Sequence, residues 1–185
     1  RRVAQALGRR WPMASGWRHA MRLDFKSYSV EIDAEATRRA YEVLPRTDEA
    51  CTCSGCRNFS LAIGDALGEG GRRFFEELGV DPAKPTEACA DDALGGADGT
   101  LLYGAWYRLC GRIERRFELP PGTTGREWRD AMARDVGEAN VSFSEHVIGG
   151  RAGFGGGAVV QMDISARVPW VLDEPNTYLD TYLDE

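Results

Sequence analysis

From Leu101 to Ile113 the chain alternates with a period of two: Leu101, Tyr103, Ala105, Tyr107, Leu109 and Ile113 fall on one side. Leu102, Trp106 and Cys110 fall on the other, with Arg108 and Arg112. Only a strand brings such positions to one face, so the chain must build a sheet with a strongly apolar side. Aromatics on a strand most often fill a core, although Tyr103, Trp106 and Tyr107 beside two arginines also suit a ligand cleft.

Around this strand the pattern predicts α+β organisation. Leu23, Phe25, Tyr28, Val30 and Ile32 read as one strand whose alternation shifts phase at Ser27. Asp33 is placed to cap a helix running to Leu44, which Pro45 stops. A second helix is expected from Cys56 to Leu67, with Phe59, Ile63 and Leu67 at helical spacing. Gly68, Gly70 and Gly71 should break the chain before a short helix, 72–78, closed by Gly79. Residues 84–89 read as a short extended piece, and 91–100 as an exposed loop. Thr124 to Val136 suits a helix. Val141–Val147 and Val160–Val168 alternate as strands, joined by the glycine-rich loop 149–157. Sequential strands after a helix-rich first half favour a mainly antiparallel sheet with helices packed against one side.

Hydrophobic content of 43% and charged content of 28% are those of a folded domain able to bury a core. No apolar run approaches the roughly 20 residues that span a bilayer. A net charge of −6 argues against general nucleic-acid binding, which rests on cationic side chains neutralising phosphates. The basic residues cluster at the start: Arg1, Arg2, Arg9, Arg10, Arg18 and Arg22 precede the first acid, Asp24. Residues 1–20 therefore read as a basic extension, either disordered or not native, followed by a single domain over 21–175 and an acidic tail over 176–185. The tail repeats Tyr178-Leu179-Asp180 as Tyr182-Leu183-Asp184, a helical spacing suited either to docking, on the domain or on a second subunit, or to fraying.

The densest chemistry is Cys51-Thr-Cys53-Ser-Gly-Cys56, just before a predicted helix. Five cysteines, an odd number, without a secretory signal pattern, point to a reducing, cytoplasmic setting. The landmarks Met21-Arg22-Leu23-Asp24-Phe25, the C-x-C-x-x-C-R-N-F stretch 51–59, Phe75-x-x-Leu78-Gly79-Val80-Asp81-Pro82, Tyr103–Tyr107 and Pro169–Leu172 together resemble a small family of uncharacterised bacterial proteins. That resemblance implies a single domain starting near Met21 and carries no activity or ligand with it.

Zinc is the leading expectation for the cluster, because a d¹⁰ ion favours tetrahedral thiolate ligands and short cysteine loops supply them. Cys51, Cys53 and Cys56 give three ligands. Cys89 is favoured as the fourth, with Cys110, His146 or a carboxylate as alternatives. A reactive Cys53–Cys56 dithiol at a helix start is a competing reading, and small buried residues packing a loop is another. The functional expectation is thus a zinc-stabilised binding or interaction domain with a protein or small-molecule partner and room for homo-oligomers. The alternative is a thiol-redox or zinc-dependent enzyme. Glu145 and His146, adjacent on an expected strand, should point to opposite faces and form no acid–base dyad. The 149–157 run lacks the Lys-Ser/Thr ending of a phosphate loop, leaving Arg151 as its one charge.

Overall fold

The computed structural model describes residues 20–91, 99–150 and 153–178. The strands are β1 (Ala20–Asp24), β2 (Tyr28–Asp33), β3 (Glu87–Asp91), β4 (Thr100–Arg115), β5 (Ala133–Val136), β6 (Ala139–Ser144) and β7 (Val159–Pro169). The helices are α1 (Ala34–Val43), α2 (Thr47–Ala50), α3 (Ser54–Ala66), α4 (Gly68–Leu78) and α5 (Gly125–Met132). The sheet order is β1-β2-β4-β7-β6-β5, every pairing is antiparallel, and β3 joins β4 off this path. The expected α+β class and antiparallel sheet are therefore found.

β4 is the spine. Its residues Leu101, Tyr103, Ala105, Tyr107 and Leu109 are each at most 1% exposed, which is the alternation read from sequence. Across β7 they oppose Val168, Ala166, Ile164, Met162 and Val160, so one sheet face is continuous hydrocarbon. Helices α3 and α4 cover that face, packing Phe59 on Tyr103 and Phe75 on Tyr107, each at 5.2 Å between ring centroids. The other face carries Arg112 paired to Glu31 at 2.5 Å, and Gln161 donating to Asp163 at 2.6 Å. An antiparallel sheet tolerates this one-sided burial because only one row of side chains needs a partner.

Both β2 and β3 pair along the same edge of β4, β3 at residues 102–106 and β2 at residues 111–115. Between them the β4 backbone would be left without a ladder partner. Helix α1 fills the gap. Thr37 Oγ1 accepts from the Cys110 N–H at 3.1 Å, and the Tyr41 hydroxyl accepts from the Arg108 N–H. Asp33 caps α1 as expected, its Oδ1 accepting from the Ala36 N–H at 2.9 Å.

Several sequence expectations are corrected. The single strand through Ser27 is a hairpin: the phase shift is a turn, closed by the Phe25 N–H donating to the Tyr28 carbonyl at 2.8 Å. Gly68, with φ of 65°, breaks the chain between α3 and α4 as expected, but α4 starts there and takes in Gly70 and Gly71. Their missing side chains admit the β5–β6 turn, where a Cβ on Gly137 would lie 2.4 Å from the Leu67 carbonyl and 2.5 Å from the Gly71 nitrogen. The expected helix to Val136 ends at Met132, after which Ala133–Val136 pair with β6. There Arg134 lies over the rings of Phe25 and Phe74, at 5.3 and 5.5 Å, and tertiary packing overrides helical spacing. β6 stops at Ser144, so Glu145 and His146 lie in a loop and not on a strand.

Candidate metal centre

Cys53 is the N-cap of α3, with an extended backbone and a sulfur that accepts from the Cys56 N–H at 3.4 Å. A thiol here occupies the position usually taken by a Ser or Asp oxygen, next to the positive end of the helix dipole. Cys51 ends α2, its N–H donating to the Thr47 carbonyl at 2.9 Å. The i+3 step from Cys53 brings Cys56 back to the same side of the first turn. As a result the sulfurs of Cys51, Cys53 and Cys56 all lie within 4.8 Å of one another, and those of Cys51 and Cys53 are 3.4 Å apart. Tetrahedral zinc with bonds of about 2.3 Å sets its sulfurs about 3.8 Å apart, so the cluster is close to ligand spacing.

The three thiols are not equivalent. Burial pushes the Cys53 thiol up, but the Cys56 N–H and hydrogen bonds from Cys51, Cys56 and Tyr178 outweigh it and hold Cys53 below the ordinary thiol value. Burial, the hydrogen bonds to Cys51 and Cys53, and their charge all push Cys56 well above it. Of these two, Cys53 sheds its proton the more readily, and a metal would have to displace the proton of Cys56.

Two sets of contacts fix the loop. On its N-terminal side, Arg46 donates to the Ser60 carbonyl and hydroxyl at 3.0 and 2.9 Å, and Ser60 donates to Asp48 at 2.6 Å. The Ser60 bond, then the residue's own N–H and the Arg46 charge, hold the Asp48 carboxyl below its usual range despite some burial. On its C-terminal side, each residue after Cys56 has a task. Arg57 pairs with Glu174 at 2.6 Å. Asn58, fully buried, donates to the Pro169 carbonyl at 3.0 Å and accepts from the Val171 N–H at 2.8 Å. Phe59 enters the core.

These contacts strap the segment after β7 across the site. Trp170 Nε1 donates to the Glu174 carbonyl at 2.8 Å and its ring packs on Tyr178. The Tyr178 hydroxyl then reaches Cys53 and Ser54. Gly55 makes room: a Cβ there would lie 2.5 Å from the Tyr178 oxygen. Tyr103 approaches from the sheet, donating to the Gly55 carbonyl at 3.1 Å. Tyr103, Tyr178 and Asn58 were not singled out by sequence as parts of this site. A buried-phase asparagine immediately after the cysteines was the available signal for the last.

The cysteines open onto a pocket of about 510 Å³ that Tyr103, Tyr178, Pro85, Ala88, Ala90 and Cys89 also line. Cys89 lies outside the group of mutually close sulfurs and sits 3.9 Å from the Glu87 carboxylate. Burial and that carboxylate push its thiol up. Cys110 lies further along β4, its sulfur 4.0 Å from the Phe154 carbonyl, and does not line the pocket. His146 lies near enough to Asp163 to act on its charge and is not in the group with the three cysteines. Trp106 is on the sheet face opposite Tyr103 and Tyr107, so the three aromatics form no common cleft. Arg151, His19 and Arg1–Arg18 lie outside the described residues, as do 92–98 and 179–185. The glycine loop is tethered through Phe154, buried against Tyr41 and under Arg108. No protein-family model, curated protein or solved structure matches the chain.

Proposed function

We propose that the chain is a zinc-stabilised binding or interaction domain of a reducing, cytoplasmic setting, with the ion held by Cys51, Cys53 and Cys56. What carries this reading is the convergence of three sulfurs within 4.8 Å on one short loop, at the N-terminus of a helix. Zinc suits the donor set because it takes thiolates without redox chemistry of its own. It would tie α2, the loop and the first turn of α3 into one unit, and its binding energy would add to folding. Closure by Cys89 would complete four thiolates and make the ion purely a scaffold; a fourth position left to the pocket would make it a ligand site.

Elemental analysis of purified protein tests the reading: one zinc per chain is expected, lost in the Cys51→Ser/Cys53→Ser/Cys56→Ser variant. Metal-free protein, or equimolar tight metal in that variant, would overturn it. A second reading, a reactive dithiol, draws on the contrast between a lowered Cys53 and a raised Cys56. Titration with oxidised glutathione decides it, since failure to form a reducible Cys53–Cys56 disulfide rules a redox role out.

A further inference from the structure

We infer that the fourth position of this metal centre is open, and that it takes a small organic thiol whose uncharged tail lies in the pocket. The inference rests on the three-cysteine metal reading above. The register of β3 supplies the first argument. Cys89 opposes Gly104, whereas Ala88 opposes Ala105 and Ala90 opposes Tyr103. Directly paired residues in an antiparallel ladder share a face. Ala88 and Ala90 therefore face the helix side with Tyr103, whereas the side chains of Cys89 and Glu87, residues that also border the pocket, alternate to the opposite direction. Bringing its sulfur to the cluster would require turning over an edge strand that five residue pairs hold to β4.

The second argument is the space that β3 leaves. About 510 Å³ adjoins the three cysteines, within the range of small-molecule sites. Alanines on the strand keep it open: Ala88 and Ala90 line it with Pro85 and the rings of Tyr103 and Tyr178, and Thr47, Thr86 and the acidic Glu87 add a polar border that disfavours an anionic tail. Such walls suit a short uncharged tail. The third argument is the donor chemistry. Three thiolates on a divalent ion leave one net negative charge, and a fourth would add another. The surroundings offset it through the α3 N-terminus, the Cys56 N–H and the Tyr178 hydroxyl, the Arg57 guanidinium near Cys53 being already paired with Glu174. A soft ion among sulfurs prefers another sulfur. A thiol that bound there would release its proton to solvent and supply its sulfur as the fourth ligand.

The test loads the full chain with Co²⁺ in place of zinc, using a phosphine reductant so that no thiol competes, and reads the visible and sulfur-to-cobalt charge-transfer bands. Identical bands are expected for the wild type and Cys89→Ser. Titrating 2-mercaptoethanol should intensify the charge-transfer band saturably, at low-millimolar concentration. Ala90→Leu should bind cobalt unchanged but weaken the thiol response at least tenfold. Failure to develop cobalt–thiolate bands sinks the metal reading itself. Cobalt–thiolate bands that lose one sulfur in Cys89→Ser overturn only the open position. Bands unmoved by the thiol, or moved by imidazole alone, overturn the proposed ligand class.

Discussion

Cys53 and Cys56 are three residues apart yet differ in proton affinity, because one caps the helix and the other is turned into the site. A thiol whose folded-state value is lowered reaches its reactive thiolate at lower pH, and one whose value is raised reaches it later. In chelator-stripped protein, iodoacetamide at pH 7 to 8 should therefore label Cys53 well before Cys56, as read by peptide mass spectrometry. Equal rates would mean that the N–H and hydroxyl donors around Cys53 do not act on it. Gly79 shows a different single-residue constraint. It ends α4 with φ of 74°, and a Cβ there would lie 2.3 Å from the Ala34 carbonyl. Backbone strain and a contact that cannot yield coincide at this position.

Helix α1 and strand β4 show how elements were matched. Thr37 and Tyr41, one helical turn apart, take the Cys110 and Arg108 N–H groups that β2 and β3 leave uncovered. Thr37→Val keeps the shape of the side chain while orphaning a buried donor, so urea unfolding should show a loss of about 1–3 kcal/mol. Asn58 does the same between α3 and the strap after β7, serving the Pro169 carbonyl and the Val171 N–H together. The helix of the cysteines and the segment bearing Tyr178 are consequently one mechanical unit.

At the scale of the whole molecule, Tyr28, Tyr41, Tyr103 and Tyr107 are buried in the core, and alkaline pH should expose the consequence. Burial pushes the Tyr41 and Tyr107 hydroxyls far above the ordinary value near 10. The less enclosed Tyr103 is pushed up to about 12, burial outweighing its hydrogen bond with Asn58. Above pH 10 the unfolded chain sheds phenolic protons that the folded chain retains, so the unfolded state binds fewer protons and stability falls as pH rises. Each fully buried tyrosine adds up to about 1.4 kcal/mol of loss per pH unit in that range. Urea midpoints from pH 9 to 11.5 should decline progressively, and a flat profile would contradict the burial of these hydroxyls.

The apolar row of β4, the capped start of α1, the Gly79 stop of α4 and the cysteine loop were legible in the linear chain. Each depends on spacing or on one residue's own stereochemistry. The hairpin at Ser27, the glycines inside α4 and the turn of Ala133–Val136 into the sheet were not, because each is settled by what packs alongside: a paired strand, a neighbouring turn, an arginine over two rings. The site divides in the same way. Three sulfurs close enough to hold a metal follow from the local fold of residues 51–56, since a cap and the first helical turn bring them together. The pocket they face, the hydroxyl of Tyr178 over Gly55 and the face that Cys89 occupies depend on strand register and on a strap more than a hundred residues away, and only tertiary structure decided them.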